Sequence, residues 1–352
     1  MSAADAPKPR AIAPSLFVVT VFASAALVFM VEPMMAKLVL PVLGGSAAVW
    51  NTSLAFFQMT LLAGYVYAHL LQRLASTRVQ IVAHLGVMAI AALALPLGVS
   101  THLGDPPPGA PALWLVGTLA LSIGAPFAAL CATAPLAQAW HARLVGGEGG
   151  REPYGLYAAS NLGSLLALLA YPVAVEPALS LRHQTQGWSL GYAAFAGVML
   201  VLGAILWRRT PPLRDRAAVK GAARIGWPDR ARWIALAAIP SSLMLGVTSY
   251  VTTDVGSAPF LWVAPLALYL ATFIIAFQSR PLIPRPAALF GQAVALTTAC
   301  ALLHAVTGHF LLGSAVHFAS FFLTALVCHQ ALVARRPAPE RLTDFYIYIS
   351  LG

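Results

Sequence analysis

The stretch WSLGYAAFAGVMLVLGAILW at residues 188–207 carries no charge, and RRTPPLRDR at 208–216 follows it at once. A run of about 20 apolar residues matches the roughly 30 Å hydrocarbon core of a bilayer. The same pattern of charge-free run and short charged connection repeats on both sides. Such runs fall at 13–31, 49–71, 79–99, 112–137, 155–175, 188–207, 233–252, 260–277, 287–307 and 311–334. The expected fold is therefore all-α, a polytopic membrane helix bundle of about ten transmembrane helices, with the lipid bilayer as its first partner. Little more than Gly308, His309 and Phe310 separates the last two runs, so a tight turn or one re-entrant element are both open there.

Composition agrees. The 352 residues are 59% hydrophobic and 9% charged, with a mean hydropathy of +0.79, whereas soluble domains carry roughly a quarter charged residues. A soluble enzyme is excluded. The formal charge of +10 would suggest nucleic acid if it formed a basic face with groove-reading elements, but the positive residues lie between apolar runs and no nucleic-acid partner is expected. Cys131, Cys300 and Cys328 sit in apolar runs without disulfide or metal-ligand spacing and are expected to pack as small apolar residues. The nine histidines, His304, His309 and His317 among them, are irregularly spaced, so neither a metal site nor a cofactor is expected. Gly146-Gly147-Glu148-Gly149-Gly150 lacks the flanking strand and helix of a phosphate loop, and no other catalytic motif stands out. The first run follows Lys8 and Arg10, exceeds the ~7–15-residue apolar core of a signal peptide and meets Glu32-Pro33 without a cleavage-like exit, so it reads as a retained helix.

Lys and Arg sort into alternate connections, as resistance to translocating positive charge requires. Nineteen of the 21 fall on one side, eight of them between Arg208 and Arg232, while Lys37 and Arg182 fall on the other. Both termini are expected in the cytoplasm. The 208–232 connection is the longest and most charged, and divides the chain into a first membrane half at 1–207 with six helices, a basic cytoplasmic linker at 208–232, and a second half at 233–352. Gly45-Ser46-Ala47 with Trp50 opens the second run, and Gly256-Ser257-Ala258 with Trp262 opens the eighth, six runs later. A parallel repeat of six-helix halves resembles the major-facilitator-type arrangement. By that measure the second half is incomplete, with four helices and, at Thr343-Asp344-Phe345-Tyr346 to Gly352, the start of a fifth.

Polar groups in hydrocarbon are costly, so their faces point to helix contacts or a cavity. On the second run Asn51, Gln58, Tyr65, His69 and Gln72 fall within an arc of about 60° at 100° per residue. On the fifth, Tyr154, Tyr157, Ser160, Asn161, Ser164 and Tyr171 share a broader face, and Ala159 with Gly163 makes a small-xxx-small pair. His317, Ser320, Thr324 and Cys328 line up on the tenth. Interhelical hydrogen bonding and a solvated central pathway both account for such stripes. Glu32 and Glu176 recur in Val31-Glu32-Pro33 and Val175-Glu176-Pro177, and Asp254 follows Thr252-Thr253. All three are expected at non-cytoplasmic helix ends, with proline enforcing the stop. There they serve either as solvated loop residues or as the capture point for a proton or cationic solute, with Lys37 close enough to neutralise Glu32. Glu32, Glu176, Asp254, Asn51, Gln58, Tyr65, Tyr157 and Asn161 are the candidate solute-binding residues.

Residues 26–37 (ALVFMVEPMMAK), 40–50 (LPVLGGSAAVW), Phe56-Phe57-Gln58 and 62–69 (LAGYVYAH) resemble the membrane region of bacterial fused major-facilitator/spermidine-synthase-type proteins. The likeness recurs at 157–164 (YAASNLGS), Tyr171-Pro172, Glu176-Pro177 and 342–352. It implies a bacterial inner-membrane protein whose full-length form continues into a cytosolic aminopropyltransferase domain in cis, using decarboxylated S-adenosylmethionine as donor and putrescine as acceptor. The resemblance also implies either transport of a cationic or polyamine-like solute or a membrane anchor for that domain. The chain stops before such a domain, so no catalytic residue carries over.

Overall fold

The computed structural model describes residues 14–44, 46–74, 76–145, 152–209, 225–254, 263–278, 282–302, 310–338 and 341–352. Among them the regular structure is helical throughout, as the apolar runs require of backbone that must satisfy its own hydrogen bonds in lipid. The first set of helices is α1 (Pro14–Leu43), α2 (Ala47–Gln72), α3 (Thr77–Ala91), α4 (Pro111–Leu119), α5 (Ala125–Val145), α6 (Glu152–Ala170), α7 (Glu176–Ala178) and α8 (Leu181–Arg209). The second is α9 (Trp227–Asp254), α10 (Val263–Phe277), α11 (Arg285–Leu302), α12 (Phe310–Ala334) and α13 (Leu342–Leu351). Each of the ten expected runs carries a helix. Among the described residues eight helical stretches are long and apolar enough to cross a membrane, and α10 and α11 occupy the other two runs with 15 and 18 residues. Residues 210–224 of the linker, and the Gly256-Ser257-Ala258-Trp262 repeat, lie outside the described residues.

Prolines reshape these helices without ending them. α4 passes into α5 through a π turn at Ala120–Gly124, and α6 into α7 through another at Tyr171–Val175. In each case a proline follows, Pro126 or Pro177, whose missing N–H frees the carbonyl four residues back, at Ser122 or Val173, inside the π turn. Helix α1 corrects the sequence reading more sharply. It continues through Pro33 and Pro41 to Leu43, so Glu32-Pro33 is not a stop. Glu32 lies 11 residues, or about 16 Å of helix, before Leu43. Around Pro33, where Val31, Met34, Met35 and Ala36 are buried, α1 is held by tertiary packing where an isolated helix would break.

The first set packs around α1. Ser24 Oγ donates to Leu130 O of α5 at 2.7 Å, Trp188 Nε1 of α8 donates to Leu27 O at 2.8 Å, and Gly163 of α6 abuts the Phe22 backbone. A buried polar tie joins α3, α5 and the α2–α3 connection: Gln80 Oε1 accepts from Trp140 Nε1 at 2.9 Å and Arg143 Nη1 at 3.0 Å, while its Nε2 donates to Leu74 O at 2.9 Å. Gln80→Leu removes the shared acceptor from two donors, and a buried donor left unsatisfied costs about 1–3 kcal/mol. The expected result is a lower unfolding midpoint in detergent; an unchanged midpoint means the tie contributes nothing.

In the second set α11 and α12 form an antiparallel pair. Gly291 lies against Leu323, Gln292 Nε2 donates to Thr324 Oγ1 at 3.3 Å, and Gln330 Nε2 donates to Ile283 O at 2.8 Å. The last two runs are therefore separate helices packed along their length, although residues 303–309, with His304 and His309, lie outside the described residues. The stripe on the tenth run serves these contacts: Thr324 meets Gln292, His317 meets the Tyr250 ring at 4.8 Å, and Ser320 and Cys328 are buried.

Candidate functional site

Glu32 belongs to the interior face of α1. At 100° per residue it falls within about 40° of Val21, Ala25, Val28, Ala36 and Val39, all buried. Among the described residues no hydrogen bond or ion pair engages its carboxylate. Lys37 does not neutralise it. Five residues turn an α-helix by about 140°, so Lys37 projects from another face and pairs with Glu176. Its Nζ lies 5.8 Å from the Tyr171 ring centroid, within cation–π range. The Tyr171 hydroxyl donates to Gln184 Oε1 at 3.0 Å, and Gln184 Nε2 donates to Leu179 O at 2.8 Å, tying α1, α6 and α8. Glu176 is thus satisfied and Glu32 is not.

The other candidates divide. Tyr65 and His69 of α2 meet α13, whereas Asn51 and Gln58, further along the same face, are exposed. Asn161 is buried and its Nδ2 donates to Tyr157 O in its own helix at 2.8 Å. Asp254 closes α9, and its side chain lies outside the described residues, as does that of Tyr154.

Tyr65 and Tyr157 enter an aromatic junction between the two helix sets. Tyr157 stacks on Tyr346 with centroids 5.3 Å apart and meets Phe273 and Phe277 at 5.5 and 4.5 Å, and Tyr65 lies 5.7 Å from Tyr346. The Tyr346 hydroxyl donates to Gln138 Oε1 of α5. Behind it, His329 stacks on Phe273 at 3.6 Å and donates from Nδ1 to Thr272 Oγ1 at 2.8 Å, because the Thr272 hydroxyl itself donates to Tyr269 O. The sequence reading missed Gln138, Tyr269, Phe273, Phe277, His329 and Tyr346. The spacing of Tyr269, Phe273 and Phe277, four residues apart on one helix face, was the available signal.

Beside this junction, at the end of the bundle that carries Arg73 and Arg341, α2 and α13 are latched. His69 Nδ1 and Thr343 Oγ1 are 2.9 Å apart, Arg73 Nη2 lies 3.2 Å from His69 Nε2, and Arg341 Nη1 lies 3.3 Å from Asp344 Oδ2. Arginine only donates, so the Nε2 accepts and Nδ1–H donates to Thr343. Asp344 Oδ1 stands 3.8 Å from the same ring. Combining Thr343→Val with Asp344→Asn removes two contacts worth about 1 kcal/mol each, and opening of this end should rise about thirtyfold. The measurement is maleimide labelling of an Ala158→Cys reporter in a Cys300→Ser background. An unchanged rate means that these contacts do not hold the end closed.

No family model and no curated protein matches the chain. Solved structures do. A double-tryptophan mutant of XylE superposes over 96% of this chain and 86% of its own, with a TM-score of 0.57 and 13% identity. The major facilitator superfamily proton:xylose symporter XylE bound to 6-bromo-6-deoxy-D-glucose covers 96% and 85%, with a TM-score of 0.55 and 14% identity. The E. coli fucose:proton symporter FucP covers 94% and 87%, at 0.50 and 15%. At such identities the likeness is one of fold, and it makes this chain a multi-pass membrane protein with a major-facilitator-like helix bundle.

Proposed function

We propose that the protein carries a small cationic, polyamine-like solute across the bacterial inner membrane, with its Arg-rich face in the cytoplasm. The division at 1–207, 208–232 and 233–352 then corresponds to two halves that rock about a central pathway, joined by the basic linker. The observation that carries the reading is Glu32, a carboxylate on the interior face of α1 without a described partner. A charge near the bilayer centre costs at least ~2.5 kcal/mol, and a cationic solute or a proton that neutralises it offsets that cost. Tyr65 and Tyr157 add ring faces that attract an ammonium group. Glu176, Asp254, Asn51, Gln58 and Asn161 complete the proposed path. The test is spermidine uptake into proteoliposomes. Saturable uptake is expected, and uptake no greater than in protein-free vesicles overturns the proposal. Saturable xylose uptake without spermidine uptake keeps the carrier and overturns the cationic solute.

A second reading is an anchor that positions an aminopropyltransferase domain in cis at the membrane. The resemblance of residues 26–71, 157–177 and 342–352 to fused spermidine-synthase-type proteins favours it. Exchange of this region for an unrelated membrane anchor then leaves aminopropyltransferase activity in cells intact, and loss of activity counts against it.

A further inference from the structure

At the end of the bundle opposite Arg73 and Arg341, the ammonium of Lys37 is held between the carboxylate of Glu176 and the ring of Tyr171, whose centroid lies 5.8 Å away. Carboxylate and ring come from one segment, the π turn at Tyr171–Val175 and the start of α7. Five residues of α-helix would set them about 140° apart. The π turn closes instead with Glu176 N–H donating to Tyr171 O, which brings the two positions onto one face. Behind them the segment is fixed: Tyr171 and Gln184 are buried, the Tyr171 hydroxyl donates to Gln184 Oε1, and Gln184 Nε2 donates to Leu179 O.

Lys37 reaches this pair from another helix, α1, on a flexible four-carbon stem. Its side chain is 33% exposed and that of Glu176 28%, so water and small solutes reach the contact from outside. Pairs this open are weak. The arrangement therefore has a preorganised half, Glu176 beside Tyr171, and a mobile half, the lysine. A carboxylate next to an aromatic face selects an organic ammonium group, because the carboxylate accepts its N–H and the ring quadrupole attracts its charge. Such a group is already in place, and it belongs to the chain itself.

We propose that Glu176 and Tyr171 form a binding site for a primary ammonium group, and that Lys37 is its tethered, displaceable occupant. An amine from solution that takes this place releases the lysine and leaves the π turn, Tyr171 and Gln184 as they stand. The binding does not depend on transport. Only its service as an entry station, five residues or about 7.5 Å of helix before Glu32, rests on the carrier reading.

Thermal unfolding of the full chain in detergent, titrated with butylammonium chloride at constant ionic strength, tests it. Butylammonium matches the lysine side chain in length and is expected to raise the midpoint. Lys37→Ala should lower the half-saturating concentration about fivefold, because the probe no longer displaces a tethered rival. Adding Glu176→Gln to Lys37→Ala should abolish the response. Tetramethylammonium, a cation without N–H, should act far more weakly. Arg182→Gln, which removes an exposed cation from the same end of the bundle, should leave the wild-type titration unchanged. Should Lys37→Ala fail to fold, Lys37→Met, which keeps the apolar stem, carries the comparison. The same half-saturation with and without Lys37, a response that survives Glu176→Gln, or an equal response to tetramethylammonium overturns the proposal. An absence of spermidine uptake leaves this binding intact, so the two readings fail separately.

Discussion

Gly163→Val is expected to cost the bundle about 3 kcal/mol or to prevent its recovery altogether, the upper end of the range for overpacking a close-packed interior. A Cβ at residue 163 would overlap the Phe22 carbonyl oxygen, and the Phe22 carbonyl carbon and Cα lie next, each at 3.1 Å. All three are backbone atoms inside α1, so no rotamer change relieves the overlap. The helices would have to part, and α1 also anchors α5 through Ser24 and α8 through Leu27. Gly163→Ala is expected to show the same effect at smaller size. Gly86→Ala is the control, because nothing lies within 4 Å of its Cβ position and alanine suits a helix better than glycine by about 1 kcal/mol. The readout is the thermal unfolding midpoint in detergent together with the yield of monodisperse protein. A Gly163→Val chain that unfolds at the wild-type midpoint would show that α1 and α6 do not meet at this point.

Glu32→Gln is expected to reduce solute flux at least tenfold while leaving the unfolding midpoint equal to the wild type or above it. The two effects have opposite signs because one charge has two roles. Carried without a described partner near the middle of α1, the carboxylate costs the fold. Offered to a cation, it supplies the attraction on which uptake rests. A tenfold loss corresponds to about 1.4 kcal/mol of interaction, modest for a charge in a low-dielectric setting. Glu176→Gln is expected to act differently. It leaves Lys37 without its partner, but both side chains are about a third exposed, and such pairs contribute roughly 0–1 kcal/mol. Wild-type flux in Glu32→Gln, in proteoliposomes where the unmodified chain transports, would remove Glu32 from the solute path.

Much of the bundle was legible in the amino-acid order because the bilayer is an exacting solvent. The runs, and the arginines that collect at alternate connections, each follow from a transfer cost that acts on one segment at a time. The small pair Ala159 and Gly163 was legible for a related reason, since without a hydrophobic drive between helices in lipid, close backbone approach is marked by missing side chains. The face of α2 with Tyr65 and His69 was legible as a stripe; its object, α13, was not.

The failures lie where a local rule met a neighbour. Glu32-Pro33 reads as a helix end because proline breaks an isolated helix, yet α1 runs on to Leu43. Lys37 stands five residues from Glu32 and pairs with Glu176, since angle around a helix outweighs distance along the chain. The aromatic junction draws Tyr65, Tyr157, Phe273, Phe277 and Tyr346 from four helices. Hydropathy and charge, additive along the chain, settled the helical, multi-pass character and the runs in which the described helices lie. Which helix faces which, that Glu176 is paired and that Glu32 has no described partner were decided by packing, because each depends on groups that meet only once the bundle has closed.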